Sequence, residues 1–557
     1  MNIKKLLFLL FVICFLLSAC ESAPRADQIY IEANIWTGDR SNPQASAIAI
    51  KGNTILYVGN NYKKYQGSKT EVIELSGKTI SPGLIDNHTH FLSGGFQLAS
   101  VNLRAAKTPQ EFIQRLKDFA ATLPEGENRW ILGGDWDHEA WGGELPTKEW
   151  IDSVTTDYPV WVNRLDGHMA LANSKALQLA GITDHTPTPS GGTIVRDPGT
   201  GKITGILKDE AMGLLSKVIP EPSEKELDEA FDRAVQHALS LGVTQVHDVG
   251  SYGGWADMNT YLRAQKSGRL PMRIYSFVPV SDWQKLAEYI KSNGRGDDML
   301  RWGALKGFVD GSLGSTTAWF YDAYNDEPST SGLMVTDTAA LRKWIIQADS
   351  AGLQVAVHAI GDHANDWLLG VFESAIHKNG KKETRRFRIE HSQHLTKEAI
   401  QNFARLGVIP SMQPYHAIDD GRWAEKRIGA ERIKTTYAFR SLLDANAKLT
   451  FGSDWTVAPL NPLEGIYAAV TRQTLDGKNP NGWMPQEKIS VEEALRCYTA
   501  NNAYAGFQEN KVGMLKAGML ADFVVLSDNL FTIPPDEIKA VKVLRTIVNG
   551  KEVYSAK

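Results

Sequence analysis

Between residues 79 and 454 the chain repeats one rhythm: short apolar runs that end in polar or glycine-containing loops, each followed by a helix-like stretch. The runs fall at 79–85, 243–249, 272–279, 302–309, 353–358, 386–391, 408–413 and 449–454. Alternation of this kind specifies parallel strands joined by crossover helices. Eight such units predict an α/β fold, a (β/α)8 TIM-like barrel, whose chemistry sits at the C-terminal ends of the strands. His88, His90, His358, His391 and Asp454 all fall at those ends.

The flanks read differently. Residues 28–80 and 510–557 carry short β-rich runs such as Ile29-Tyr30-Ile31 and Phe523-Val524-Val525-Leu526, separated by Gly and Asn turns. They predict one small β-sandwich built from both chain ends, with the barrel of residues 81–509 inserted between them. About 155 residues separate the first and second runs, far more than a crossover of roughly a dozen residues or more needs. A cap insertion at about 95–240 is expected, rising from the catalytic face because it occupies a strand-to-helix loop.

At 557 residues the chain can bury a large core. Its 60 Lys and Arg against 64 Asp and Glu leave a formal charge of −4, with no dense basic run. Nucleic acid is therefore not an expected partner.

Lys4 and Lys5 precede the uncharged run Leu6 to Leu17 and then Ser18-Ala19-Cys20. A run of about twelve is short for a membrane span, which needs roughly 20 residues, but suits a secretory leader. The ending Leu17-Ser18-Ala19-Cys20 resembles the bacterial lipoprotein cleavage box; an ordinary signal peptide or an uncleaved anchor is the alternative. Residues 1–19 would be removed, Cys20 lipidated, and residues 20–27 would form a tether. The mature protein is expected in the cell envelope, lipid-anchored to a bacterial membrane and facing the periplasm or the surface. Only Cys20 and Cys497 would remain, so no disulfide framework is expected.

Asp86-Asn87-His88-Thr89-His90 closes the first run, and His-x-His at a strand end places both imidazoles on one side of the pleat. Paired imidazoles bind divalent metal. His358 and His391 would complete that site or hold a second ion, and imidazole-rich sites suit zinc. For His358 the alternative is a hydrogen-bonded barrel histidine; for His391 it is exchange of roles with His394, three residues on. Asp454 could bind metal and exchange a proton with water, whose pKa a metal lowers toward about 7. Hydroxide then attacks an electrophile such as a carbonyl, and Asp454 carries the proton to the leaving group.

Taken together, Ser81-Pro82-Gly83-Leu84-Ile85-Asp86-Asn87-His88-Thr89-His90, Asp166-Gly167-His168, Lys306-Gly307-Phe308-Val309-Asp310-Gly311-Ser312, Gln413-Pro414-Tyr415-His416 and Gly452-Ser453-Asp454 resemble the metal-dependent amidohydrolase superfamily. More narrowly, the chain resembles amidohydrolase family 3, the branch that includes N-substituted formamide deformylase. The resemblance runs from about residue 28 to the end. It implies hydrolysis of a non-peptide carbon–nitrogen bond in an amide, formamide or cyclic amide, with one or two divalent ions, zinc being the expected one. It also implies that Lys306 is carboxylated by carbon dioxide and bridges two metals; a mononuclear site, or Asp310 in place of Lys306, is the alternative. Arg164, His168 and His416 are substrate-binding candidates with an equally good structural reading. Ester or lactone hydrolysis, or a non-catalytic binding lipoprotein on the same barrel, are the rival functions. The expected partners are a small amide-like substrate and the membrane, with a homodimer left open.

Overall fold

The computed structural model describes residues 24–123, 129–250, 253–380 and 385–556. The leader 1–19, Cys20 and the start of the tether lie outside the described residues.

Eight strands form one parallel sheet in sequential order: β1 Leu84–Thr89, β2 Val243–Asp248, β3 Arg273–Pro279, β4 Leu300–Phe308, β5 Gln354–Ala359, β6 Arg388–His391, β7 Ile409–Met412 and β8 Thr450–Phe451. Each of the eight apolar runs supplies one of them. Main-chain bonds bring the end of β8 against β1: the Asp454 amide donates to His88 O at 2.8 Å and the His90 amide to Trp455 O at 2.7 Å. Strands β1, β2 and β5 are buried along their whole length. Sheets covered on both faces have this burial, which is why their sequences read as continuous apolar runs rather than alternating ones.

The covering helices show the complementary pattern. Glu224–Ser240 starts at a reciprocal capping box between Ser223 and Glu226. It buries Leu227, Phe231, Ala234, Val235 and Ala238, a helical-period stripe that packs into the barrel core.

The first apolar run does not form a single strand. Thr79–Pro82 pairs antiparallel with Phe523–Leu526 and parallel with Gln28–Trp36, in a separate sheet, and only after Gly83 does β1 begin. A Cβ on Gly83 would stand 2.3 Å from Thr244 Oγ1, so the crossing between the sheets closes only around glycine. That separate sheet takes eight strands from both chain ends and has its own core, including Tyr30, Ile35, Ile48, Ile80, Phe523 and Ile547.

The long stretch between β1 and β2 contains a five-stranded sheet in the order Gly192–Arg196, Ile203–Asp209, Met169–Ala172, Val160–Arg164, Ile131–Trp136. Asp166, just past one of these strands, accepts hydrogen bonds from Ser312 Oγ at 3.1 Å and Ser315 Oγ at 2.7 Å, both in the loop after β4. The insertion thereby meets the C-terminal mouth of the barrel. Among the described residues no helix is long and apolar enough to cross a membrane.

Candidate active site

A cavity of about 140 Å³ opens at the C-terminal end of the strands and is lined by residues that include His90, Arg164, His168, Lys306, His358, His391, His416 and Asp454. His88 lies beneath it, fully buried on β1. All the barrel residues singled out from the sequence therefore meet in one place.

Two imidazoles are oriented from behind. His88 Nδ1 lies 2.6 Å from Glu390 Oε2, and His90 Nδ1 lies 2.6 Å from the Gly250 carbonyl. Both oxygens only accept, so each Nδ1 is the donor, and in the neutral ring the Nε2 lone pair is left facing outward. Both Nε2 atoms point at the same atom, Asp454 Oδ1, at 3.3 Å each. That oxygen has no hydrogen-bond partner despite being buried, and neither has His391 Nδ1. Buried polar atoms are normally satisfied. Lone pairs converging on a carboxylate oxygen are what a cation resolves, and the donors match the N and O preference of zinc-like ions. The ligand atoms of His88, His391 and Asp454 lie within 4.8 Å of one another, so these residues fit a divalent ion.

The electrostatics are consistent with this geometry. Burial pushes the Asp454 carboxyl up, but the imidazoles of His88, His90 and His391 outweigh it and hold the group well below the usual carboxylate range. Burial takes the His391 imidazole well below its ordinary value, and with Lys306 beside it takes His358 to about 3. Both rings are thus unprotonated at neutral pH, as ligands must be. Backbone geometry is strained here: His391, Ser392 and Asp454 all adopt positive φ, at 75°, 49° and 58°.

Lys306 is buried, with Nζ 3.3 Å from His88 Nε2. Burial lowers its ammonium pKa to about 8, with nearby Glu390 and Asp454 opposing the shift. Asp310 is differently occupied. Its oxygens accept the amides of Ile360 at 3.0 Å, Gly361 at 2.9 Å and Trp319 at 2.8 Å, so it fastens the loops after β4 and β5. His358 donates Nε2–H to Gly311 O at 3.0 Å and packs 4.4 Å from the His391 ring, outside the tight group of three. The choice between His391 and His394 is also clear geometrically. His391 faces the cavity, whereas His394 bonds Thr436 Oγ1 at 2.8 Å and packs against Phe320.

His416 comes nearer the centre than its sequence context suggests, with Nε2 3.8 Å from Asp454 Oδ2. Arg164 is buried and spent on its own insertion: Nη1 donates to Asp166 at 2.7 Å, Nη2 to Asp137 at 3.3 Å and Nε to His138 at 3.3 Å. His168 Nδ1 is held by Asp209 at 2.9 Å.

A sequence profile described as the amidohydrolase family matches residues 71–554. The chain belongs to the amidohydrolase family. It is a hydrolase enzyme. Its sequence is 43% identical to Protein LONG AFTER FAR-RED 3 of Arabidopsis thaliana, across 95% of this chain and 92% of that one. It is 29% identical to N-substituted formamide deformylase of Arthrobacter pascens, across 94% of this chain and 97% of that one. Among solved structures it resembles an uncharacterized metal-dependent hydrolase from Pyrococcus furiosus, with a TM-score of 0.71 and 30% identity, covering 91% of this chain and all of the other.

This amidohydrolase also uses residues that the sequence reading passed over. Glu390 holds His88 and is itself clamped by Arg388, whose Nε lies 2.7 Å from Oε1, and by Ser411 Oγ at 2.6 Å from Oε2. Arg388 and Glu390 alternate on one face of β6, and that i, i+2 pairing of opposite charges in an otherwise apolar run was the available signal. Gln393, Asp420, Arg422 and Trp423 also line the cavity. They sit beside the His391 and His416 phrases, but nothing in their sequence context marks them.

Proposed function

We propose that this amidohydrolase cleaves a non-peptide carbon–nitrogen bond in a small amide, formamide or cyclic amide. The observation that carries the proposal is the convergence of His88 and His90 Nε2 on the unpartnered Oδ1 of Asp454. The likeness to the formamide deformylase supports the bond type.

His88, His391 and Asp454 would hold one divalent ion, taken here to be zinc, with His90 beside them; Lys306, as a carbamate, and His358 would serve a second. A bound ion supplies Lewis acidity that polarises a carbonyl and acidifies water. The chain's own groups do the rest. Asp454 accepts the proton of the attacking water at Oδ2 and delivers it to the leaving nitrogen, turning a poor leaving group into a neutral amine. His416 Nε2, unpartnered and 3.8 Å from that oxygen, donates to the substrate. His168, with Nδ1 held by Asp209, presents Nε2 to the cavity. Arg164 positions the wall through Asp137 and Asp166. The five-stranded insertion acts as the cap that excludes water and selects the substrate, and the single eight-stranded sheet built from both ends, rather than two packed sheets, forms the small β domain of 28–80 and 510–557.

Burial of Lys306 and its lowered ammonium pKa support a carbamate there. The neutral amine would attack carbon dioxide: a nitrogen–carbon bond forms as one carbon–oxygen π bond breaks, one proton leaves, and a single negative charge is shared by the two carbamate oxygens. Export and lipidation at Cys20 rest on the Leu17-Ser18-Ala19-Cys20 sequence. Cys20→Ala should yield unlipidated protein, and an unchanged membrane fraction would refute the anchor.

The function is tested with a panel of N-substituted formamides, linear amides, cyclic amides and matched esters, comparing wild type with Asp454→Asn. Turnover of a carbon–nitrogen substrate that falls at least a hundredfold in the variant supports the proposal. Turnover confined to esters would replace it with the ester or lactone reading.

A further inference from the structure

At the opposite mouth of the barrel, where the strands begin, lies a second cleft with a cavity volume of about 270 Å³. Tyr275 of β3, Arg301 and Trp302 of β4, Gln354 of β5 and Phe387 beside β6 reach it from the barrel. The N-terminal face of such barrels ordinarily serves stability, so charged side chains there should be paired.

Two of the four guanidinium groups around the cleft are paired. Arg385 forks onto Asp349 at 2.8 and 2.9 Å, and Arg386 onto Glu509 at 2.6 and 3.0 Å. The other two are not. Arg295 donates to the Gly352 carbonyl at 2.8 Å, and Arg301 to the carbonyls of Gly506 at 2.8 Å and Phe507 at 3.0 Å. Neither forms an ion pair among the described residues. A backbone bridge between Gly296 and Arg301 keeps the two arginines on neighbouring segments.

The cleft also holds unspent polar capacity. Arg386 Nε and Gln354 Oε1 are buried and have no hydrogen-bond partner among the described residues, and Gln354 is only 5% exposed. The charged groups acting most strongly on the buried Tyr275 hydroxyl are all arginines, 301, 295, 388 and 386. A positive cleft floored by the rings of Tyr275, Trp302, Phe387 and Phe507 is unsatisfied as it stands.

We propose that this cleft is a binding site, distinct from the hydrolytic centre, for a small organic anion: a carboxylate or phosphate carried on an aromatic or apolar body. The anionic head sits between Arg295 and Arg301, since a guanidinium fork matches either oxyanion. The body lies on the rings, and a donor on it can reach Gln354 Oε1.

The test is calorimetric titration of the full chain with benzoate, phenyl phosphate, inorganic phosphate and neutral benzyl alcohol, together with a crystal structure of the tightest complex. Arg295→Gln is the informative variant, because Arg295 is exposed and tied only to a carbonyl; Arg301→Gln is secondary, because Arg301 also secures residues 506 and 507. Binding of benzoate or phenyl phosphate at least tenfold tighter than benzyl alcohol, and at least tenfold weaker after Arg295→Gln, supports the proposal. The tighter of the two anions tells carboxylate from phosphate. Inorganic phosphate binding as tightly as phenyl phosphate would remove the apolar body from the proposal. No anion binding, binding indifferent to Arg295→Gln, or density for the anion only in the hydrolytic cavity would overturn it.

Discussion

His88 and Glu390 meet at 2.6 Å through Nδ1 and Oε2, with both side chains wholly buried. The contact decides which nitrogen of His88 faces the cavity. Burial raises the Glu390 carboxyl, but Arg388 and His88 more than offset this and hold it well below the ordinary range, so it stays an acceptor at any working pH.

Replacing Glu390 with Gln keeps the shape but removes the charge that fixes the His88 tautomer. Outer partners of ligand histidines are typically worth about 10–100-fold in metal affinity. Glu390→Gln should lose affinity in that range by competition with a chelator, and should lower Tm because the buried Arg388 loses its counter-charge. Wild-type affinity would remove Glu390 from the account.

Lys306→Ala should lose most of the rate and one ion of a two-ion site. Short carboxylic acids should return part of the activity by standing in for the carbamate. Gentle mass spectrometry of wild type should show one added carbon dioxide that acid removes. A plain lysine in a fully active enzyme would leave a mononuclear hydrolase.

Arg164→Ala and His168→Ala should differ from each other. Removing Arg164 takes the nearest counter-charge from the Asp137 and Asp166 carboxylates, a loss of order 3 kcal/mol that appears as a lower Tm. Removing His168 should raise KM with little change in Tm. Metal content should be unchanged in both, since neither side chain reaches His88, His391 or Asp454. Loss of metal from the His168 variant would make that residue a ligand.

Asp420 predicts a pH dependence of stability. Burial, with Asp419 adding to it, pushes its carboxyl up to about 7, while the Tyr437 hydroxyl at 2.6 Å opposes the shift. The folded pKa lies above the unfolded one, near 4, so the fold favours the protonated form. Its contribution is complete below about pH 4 and is lost as pH rises through 7. Asp420→Asn should flatten the decline in Tm between pH 5 and 8, and an unchanged slope would contradict the assignment.

The barrel was readable because parallel strands covered on both faces leave unbroken apolar runs, and the metal-binding candidates because they end those runs. The break at Gly83 was not readable. Thr79 to Ile85 is one apolar stretch, and only the antiparallel partner Phe523–Leu526, more than 400 residues away, draws its first half into another sheet. His391 and His394 could not be separated by spacing, since the positive φ at His391 turns one ring into the cavity while Thr436 holds the other. Glu390 was hidden in plain view, because a carboxylate inside a strand shows its role only when His88, 302 residues distant, comes to rest against it.

The central claim is that His88, His391 and Asp454 hold a divalent ion on which hydrolysis depends. The most direct test strips the protein with a chelator, verifies the loss by elemental analysis, and then titrates zinc back while following both bound metal and turnover, in wild type and in His391→Ala. The account predicts about one to two ions per chain, activity that vanishes and returns with them, and weakened binding in the variant. Full turnover by protein verified to be metal-free would contradict it.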